Sequence, residues 1–476
     1  MPGTQRRNGR RWPSAIQPAG LAAMLAGLAL GATVSGCGGG PYEGSASGWP
    51  NASRNFATAP LPGNPSPTAT PAPEDGAIRS HYLNMPNFPG AAEWVRVHLV
   101  AGQKSFNLAV DGSVEVFDED NGSIEIRDRI ASAPVTVTGA SLAIGSRIYF
   151  GQDRIELRPQ PGTRMAVNGE DLGPAVQLLT IYRNQGERTV QCVASWDLER
   201  YLEGVVAGEV PVDWPAEALK AQAVASRTYV LFQMQDRRYE PWDVERTVHS
   251  QVFKTGDREK IDPRVTAAVE ATRGEYLTSA GALFPAFFHS TSGGETCSAQ
   301  EAFGPQASDA PALRGHVQDS FGTASSLYRW ERKFSLATFQ ERLAKKGLWK
   351  PADGNRILDI QPVGVPAAGG LRATVYLVIG VKDRRYIPAN DFRLAFGGGR
   401  DDLPSTLVFA WKVAHGSVTI DGGGWGHGVG MCQFGALGRA NAGQTYRQIL
   451  AAYYPGSDLQ SIGPTAAAVP VVAFRP

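Results

Sequence analysis

From Trp94 to about Thr180, apolar and polar residues alternate in short runs: VRVHLV, SVEVF, SIEIRD, VTVTG, RIYF and RIELRP. A period of two turns every second side chain toward one face, so each run predicts a strand with one buried side. Asn121-Gly122, between two of these runs, predicts a tight hairpin turn. No cluster of chemically reactive side chains falls in this stretch, which reads as a β-rich accessory domain over 76–180.

The periodicity changes at Trp196. In DLERYLEGVVAGEVPVDWPAEALKAQAVASRTYVLFQM (197–234) a short helix is expected first, then an apolar stretch around Glu209 and a turn from Pro211 to Pro215. Pro215 suits the first turn of a second helix. Leu219, Ala223, Ser226, Val230 and Met234 form one stripe of that helix, and Gln222, Ser226 and Tyr229 a more polar neighbouring face. A third helix is bounded by Asp262 and Pro263 at its start and Gly274 at its end. EYLTSAGALFPAFFHSTSGGETC (275–297) reads as two strands joined near Ala280-Gly281, the second ending at His289. Ser335 predicts a helix cap, with the helix running to Lys346. Residues 356 to 420 return to strand alternation, and Thr445-Tyr446-Arg447-Gln448 matches a capping box. The fold class expected is α+β, mixed sheets with several helices preceded by the β-rich domain.

The ends of the chain add a location. Arg6, Arg7, Arg10 and Arg11 precede an apolar run from Ala19 to Val34, about 16 residues, short for a spanning helix. The run closes on VSGC, which resembles a bacterial lipoprotein cleavage box. Residues 1–36 are therefore expected to be a lipoprotein signal peptide and Cys37 the lipidated residue; an ordinary secretory signal with an incidental Cys37 is the alternative. The only membrane contact expected is through that lipid, and the place expected is the periplasm or cell wall. Residues 37–75, rich in Gly, Ser, Pro and Thr, cannot bury a core and read as a flexible tether. Residues 461–476 read as a C-terminal tail. Lys plus Arg is 46 and Asp plus Glu 45, a balance that gives no argument for nucleic acid as a partner.

Two kinds of chemistry are open. Glu209 sits among Val205, Val206, Ala207, Gly208, Val210 and Pro211. Apolar surroundings disfavour an ionised carboxyl and suit a general acid; a structural carboxylate satisfied by a partner is the alternative. His289 and Cys297 on one loop, with His427 and Cys432 on another, are the four ligands a zinc ion would use if the loops meet; a disulfide or buried thiols are the alternatives. No cofactor is otherwise expected. Six glycines within residues 422–430 surround Trp425 and His427. Such density reads as bare backbone, a wall against which a polymer could lie.

Three stretches together resemble the stage II sporulation protein D / LytB family (SpoIID/LytB): LERYLEGVVAGEVPVDWPAEALKAQAVASRTY (198–229), FHSTSGGET (288–296) and GWGHGVGMCQFGALGRANAGQTYRQILAAYYPG (424–456). The resemblance implies a SpoIID/LytB-like catalytic domain over 181–460 that acts on peptidoglycan glycan strands. It implies a lytic transglycosylase cutting peptide-stripped glycan to 1,6-anhydro ends, with Glu209 as the catalytic residue. The alternative is a non-catalytic, glycan-binding scaffold that enhances a cell-wall amidase. Candidate substrate contacts are Gln222, Arg227, His289, Ser290, Ser292, Gly293, Gly294, Trp425, His427 and Gly428. Cys432 stands where many relatives would carry Ser.

Overall fold

The computed structural model describes residues 94–118, 122–184, 187–237, 240–245, 261–351 and 354–462. The expected signal, Cys37, the tether, Asn121 and residues 463–476 of the tail lie outside them.

Every alternating run of the first region is a strand. Ten strands succeed one another: Trp94–Gln103, Ser105–Asp118, Gly122–Thr138, Ser141–Ile144, Arg147–Tyr149, Arg154–Pro159, Arg164–Val167, Glu170–Asp171, Val176–Arg183 and Val190–Asp197. With Val244–Glu245, parallel to Trp94–Gln103, they form one eleven-stranded sheet among the described residues. Alternation decides the buried side: Val95 and Val97, Leu108 and Val110, and Val114 and Val116 all point inward. The strand Val176–Arg183 straddles residue 180, and the sheet runs on to Asp197.

The last strand passes straight into helix α1 (Leu198–Glu209), because the Asp197 carboxylate accepts the free N–H groups of Glu199 and Arg200. The helix reaches Glu209 despite Gly204 and Gly208, since Val205 and Val206 are fully buried and packing outweighs propensity. Helix α2 (Ala216–Asp236) follows Pro215. Its Leu219, Ala223 and Val230 join α1 and the first sheet in one core, while Ala221, Val224 and Ala225 face a second cluster around Phe284, Met431 and Tyr453. A helix packed on both sides needs small apolar residues all round, and the alanines supply them. Helix α3 (Pro263–Ala271), capped by Asp262, completes this layer.

The pair of strands expected over 275–289 forms differently. Glu275–Ser279 pairs with Ser457–Ser461, from the far end of the described chain. After the Ala280-Gly281 turn only Phe288–His289 is strand, and it lies parallel to Met431–Cys432. Pro285 has no N–H to donate, and the Phe287 carbonyl is taken by Met431 N–H and the Tyr454 hydroxyl.

Helix α4 (Ala299–Phe303) starts in a capping box of Ser298 and Glu301, and α5 (Leu336–Lys345) starts where Ser335 accepts the Thr338 N–H. A second sheet, six-stranded among the described residues, runs in the order 330–335, 417–423, 407–414, 370–380, 357–367, with 384–388 beside 370–380. Its core packs against α5 and α6 (Ala389–Ala395), a helix the alternation did not predict. The strand Ser417–Gly423 delivers the chain into the Gly-rich loop. That loop ends in α7 (Gln433–Asn441), and α8 (Tyr446–Tyr453) follows with its Thr445/Gln448 capping box. Among the described residues no helix is long and apolar enough to cross a membrane.

Candidate active site

The three motif stretches meet. Phe288–His289 pairs with Met431–Cys432, Thr291 and Trp425 exchange both backbone hydrogen bonds, Cys297 N–H donates to Gly428 O, and Phe434 N–H donates to Ser290 O. Gln433, the first residue of α7, then reaches Glu209 at the end of α1. Its Nε2 lies 3.4 Å from Glu209 Oε2, 3.5 Å from Glu209 O and 3.4 Å from Gln222 Oε1. Glu209 is half-buried. Its near titratable neighbour on the same helix is Tyr201, whose hydroxyl is pushed well up by burial, then by Tyr229 and by Glu209 itself. Two half-buried aromatic rings, Trp214 after the end of α1 and Phe434 next to Gln433 in sequence, meet edge to face at 5.4 Å.

The glycines have a plainer cause than a ligand. A methyl group added at Gly424 would sit 2.6 Å from Thr291 O, and one at Gly426 2.8 Å from His289 Cβ. At Gly428 it would meet Cys297 Sγ at 3.1 Å, and at Gly430 Phe287 O at 2.0 Å. All four also have φ between 67° and 107°, backbone that L side chains resist. The loop is bare because it packs directly on the 287–297 loop.

The two histidines are spent on the same junction. Val429 serves both: its N–H donates to His427 Nδ1, and its carbonyl accepts from His289 Nδ1–H, each at 3.0 Å. The rings stand 5.6 Å apart. Burial lowers the His289 pKa to about 4. Burial, then the neighbouring His289 and Arg393, lower His427 well below the usual imidazole range. Both rings are neutral at neutral pH.

The four expected zinc ligands do not fit a metal ion. Cys297 Sγ donates to His427 O, while Cys432 Sγ accepts the N–H groups of Ser292 and Gly435 as the N-cap of α7. The Nδ1 atoms of both histidines are committed, His289 Nε2 is buried without a partner, and burial raises the Cys297 thiol to about 11 and Cys432 higher still. Among the described residues no three His, Cys, Asp or Glu side chains are grouped to hold a metal. Cys192, Cys297 and Cys432 are free, so the disulfide alternative does not form among them. A Ser at 432 could cap α7 in the same way as the cysteine.

Several candidate contacts turn out to be internal. Arg227 is fully buried and paired with Glu199 at 2.6 Å, its other donors bonded to Glu275 O and Val269 O. It holds α1, α2 and α3 together and offers nothing to a substrate. Ser292, also fully buried, donates to Asp319 Oδ2 and accepts Gly294 N–H. Gly293 and Gly428 are buried. Ser290, Gly294, Trp425 and His427 keep partial exposure; the Trp425 indole N–H donates to Gly398 O. Gln222 is linked to Glu209 through Gln433, a residue the sequence did not single out. A lone polar residue at a helix start ordinarily faces water, so Gln433 gave no separate signal.

A family model described as "Stage II sporulation protein" matches residues 186–279, and a model of a domain of unknown function matches residues 306–430. A stage II sporulation protein D of Bacillus amyloliquefaciens is 32% identical over 278 residues, 55% of this chain and 74% of that protein. The stage II sporulation protein D of Bacillus subtilis is 30% identical over 311 residues, 62% and 83% of the two chains. An amidase enhancer of Bacillus subtilis is 29% identical over 295 residues, 55% of this chain but 40% of that protein.

Proposed function

This chain belongs to the SpoIID/LytB family, and we propose that it cleaves peptide-stripped peptidoglycan glycan strands as a lytic transglycosylase. The observation that supports this reading is the meeting of the motif stretches on Glu209, where α1 ends and Gln433 donates to the carboxyl. Neutral Glu209 gives its proton to the oxygen of the bond between N-acetylmuramic acid and N-acetylglucosamine, and the C1–O bond breaks. The muramyl C6 hydroxyl attacks C1 and closes the 1,6-anhydro ring. Its proton passes to Glu209, which restores the acid. No water is consumed, so a second carboxylate to activate one is not required. The attacking hydroxyl is already tethered, which favours ring closure. Export and anchoring through a lipidated Cys37 would set this domain at the outer face of a membrane, within reach of the wall.

The test is to incubate the purified protein with peptide-free strands and look by mass spectrometry for 1,6-anhydro-muramyl ends. Wild type should produce them; Glu209→Gln should lower the rate by at least a hundredfold. Bound but uncut strands with wild type would refute the enzyme reading. The match to the amidase enhancer favours a second reading, a glycan-binding scaffold that stimulates an N-acetylmuramoyl-L-alanine amidase. It requires that stimulation survive in Glu209→Gln.

A further inference from the structure

We infer that Gln433 is a positioning residue for the Glu209 carboxyl, held in place by a buried relay that runs from Ser226 through Gln222. The inference rests on the acid/base reading of Glu209 and adds the groups that aim it.

The relay can be followed atom by atom. Gln222 and Ser226 lie one turn apart on α2, and both are buried, Gln222 at 1% exposure. Gln222 Nε2 donates to Ser226 Oγ at 3.1 Å, which turns its Oε1 toward α7. Gln433, 8% exposed, answers with its own Nε2. Three acceptors surround that nitrogen: Gln222 Oε1, Glu209 Oε2 and Glu209 O. With the amide reversed, three oxygens would face a fourth, so the surroundings fix its orientation. The direction of the relay is therefore one-way, and its last step delivers an N–H to one named oxygen of Glu209.

Burying an amide side chain costs rotamer freedom and desolvation unless its hydrogen bonds are met. Here the backbone on both sides of the amide is pinned to the 288–296 stretch. Cys432, the residue before Gln433, caps α7 and is paired in register with His289. Phe434, the residue after it, donates its N–H to Ser290 O. The junction of the loops thus fixes where the Gln433 amide stands. A donor held on Oε2 restrains rotation of the carboxyl and favours Oε1 as the oxygen that carries the transferable proton. The distances of 3.4 and 3.5 Å are at the long end for hydrogen bonds, so the amide aims the carboxyl without gripping it tightly.

The experiment uses full-length protein carrying 13C-labelled Glu carboxyls. The resonance missing from Glu209→Gln identifies Glu209. Its titration is followed in wild type, in Gln433→Leu, which keeps the size but not the donor, and in Gln222→Leu, which removes the relay. The expected result is that Glu209 titrates at a pH at least half a unit higher in Gln433→Leu, with a smaller change of the same sign in Gln222→Leu. In the same variants kcat on peptide-free strands falls tenfold or more while KM stays within twofold. An unchanged Glu209 titration in a folded Gln433→Leu overturns the proposal. Should Gln433→Leu fail to fold, an unchanged titration in Gln222→Leu overturns it equally. Absence of cleavage by wild type would sink the acid/base reading alone, because the titration still decides whether the relay acts on Glu209.

Discussion

Replacing Gly430 by Ala separates two explanations for the Gly-rich loop. The added methyl carbon would lie 2.0 Å from the Phe287 carbonyl oxygen and 2.9 Å from the Tyr454 ring. A carbon–oxygen contact settles near 3.3 Å, so backbone must yield by about 1 Å. Rotation of a side chain cannot relieve this, since the obstacle is main chain. The Phe287 carbonyl accepts Met431 N–H at 3.1 Å and the Tyr454 hydroxyl at 2.8 Å. Displacing it weakens two buried hydrogen bonds, at about 1 kcal/mol or more each. The left-handed φ of 67° adds about 1 kcal/mol for any L side chain. The expected loss is about 3–5 kcal/mol. Gly443 is the control: its φ of 81° is equally left-handed, and nothing lies within 4 Å of its added carbon. Gly443→Ala should cost only about 1 kcal/mol, the conformational part alone. Urea unfolding of both variants, with glycan binding measured alongside, provides the comparison. Equal losses of stability, or an unaltered Gly430→Ala that has lost glycan binding, would refute loop-on-loop packing as the reason for the glycines.

Three other outcomes follow from the same structure. His289 takes up no proton until about pH 4, whereas the unfolded chain does so from about pH 6.5, so stability is full above pH 6.5 and falls below it. The loss by pH 5 should be about 2 kcal/mol from His289 alone, and urea midpoints at pH 8, 6.5 and 5 should lose this slope in His289→Asn. Arg227→Met leaves the buried Glu199 carboxylate without its partner and should destabilise the protein by about 3–5 kcal/mol, read as a lower urea midpoint. Cys432→Ser should stay within about 1 kcal/mol of wild type because the hydroxyl caps α7 as the sulfur does, while Cys432→Ala should lose about 1 kcal/mol more, measured by thermal unfolding.

Local chemistry was legible along the chain wherever a residue's role depends on its own neighbours. Period-two alternation marked the strands of the first sheet, and Asp262, Ser335 and Thr445 marked helix starts, because capping is settled within one turn. Glu209 stood out by its apolar flanks, and the motif stretches pointed to the family. What depends on distant segments was not legible. The partner of Glu275–Ser279 lies some 180 residues onward, and nothing in either strand names the other. Arg227, inside the first motif stretch, reads from sequence as a candidate substrate contact, and only the fold sets Glu199 against it. His289, Cys297, His427 and Cys432 have the right atoms for zinc. In the fold, bonds to Val429, His427, Ser292 and Gly435 engage His427 Nδ1, Cys297 and Cys432 and fix the His289 ring through its Nδ1–H. Gln433 became part of the site only when α7 was carried to the end of α1. Sequence alone determined the elements and the residue types available, since those follow from local sterics and hydrogen bonding. The tertiary structure decided which polar atoms face each other, because long-range pairing is set by the packing of whole elements against one another.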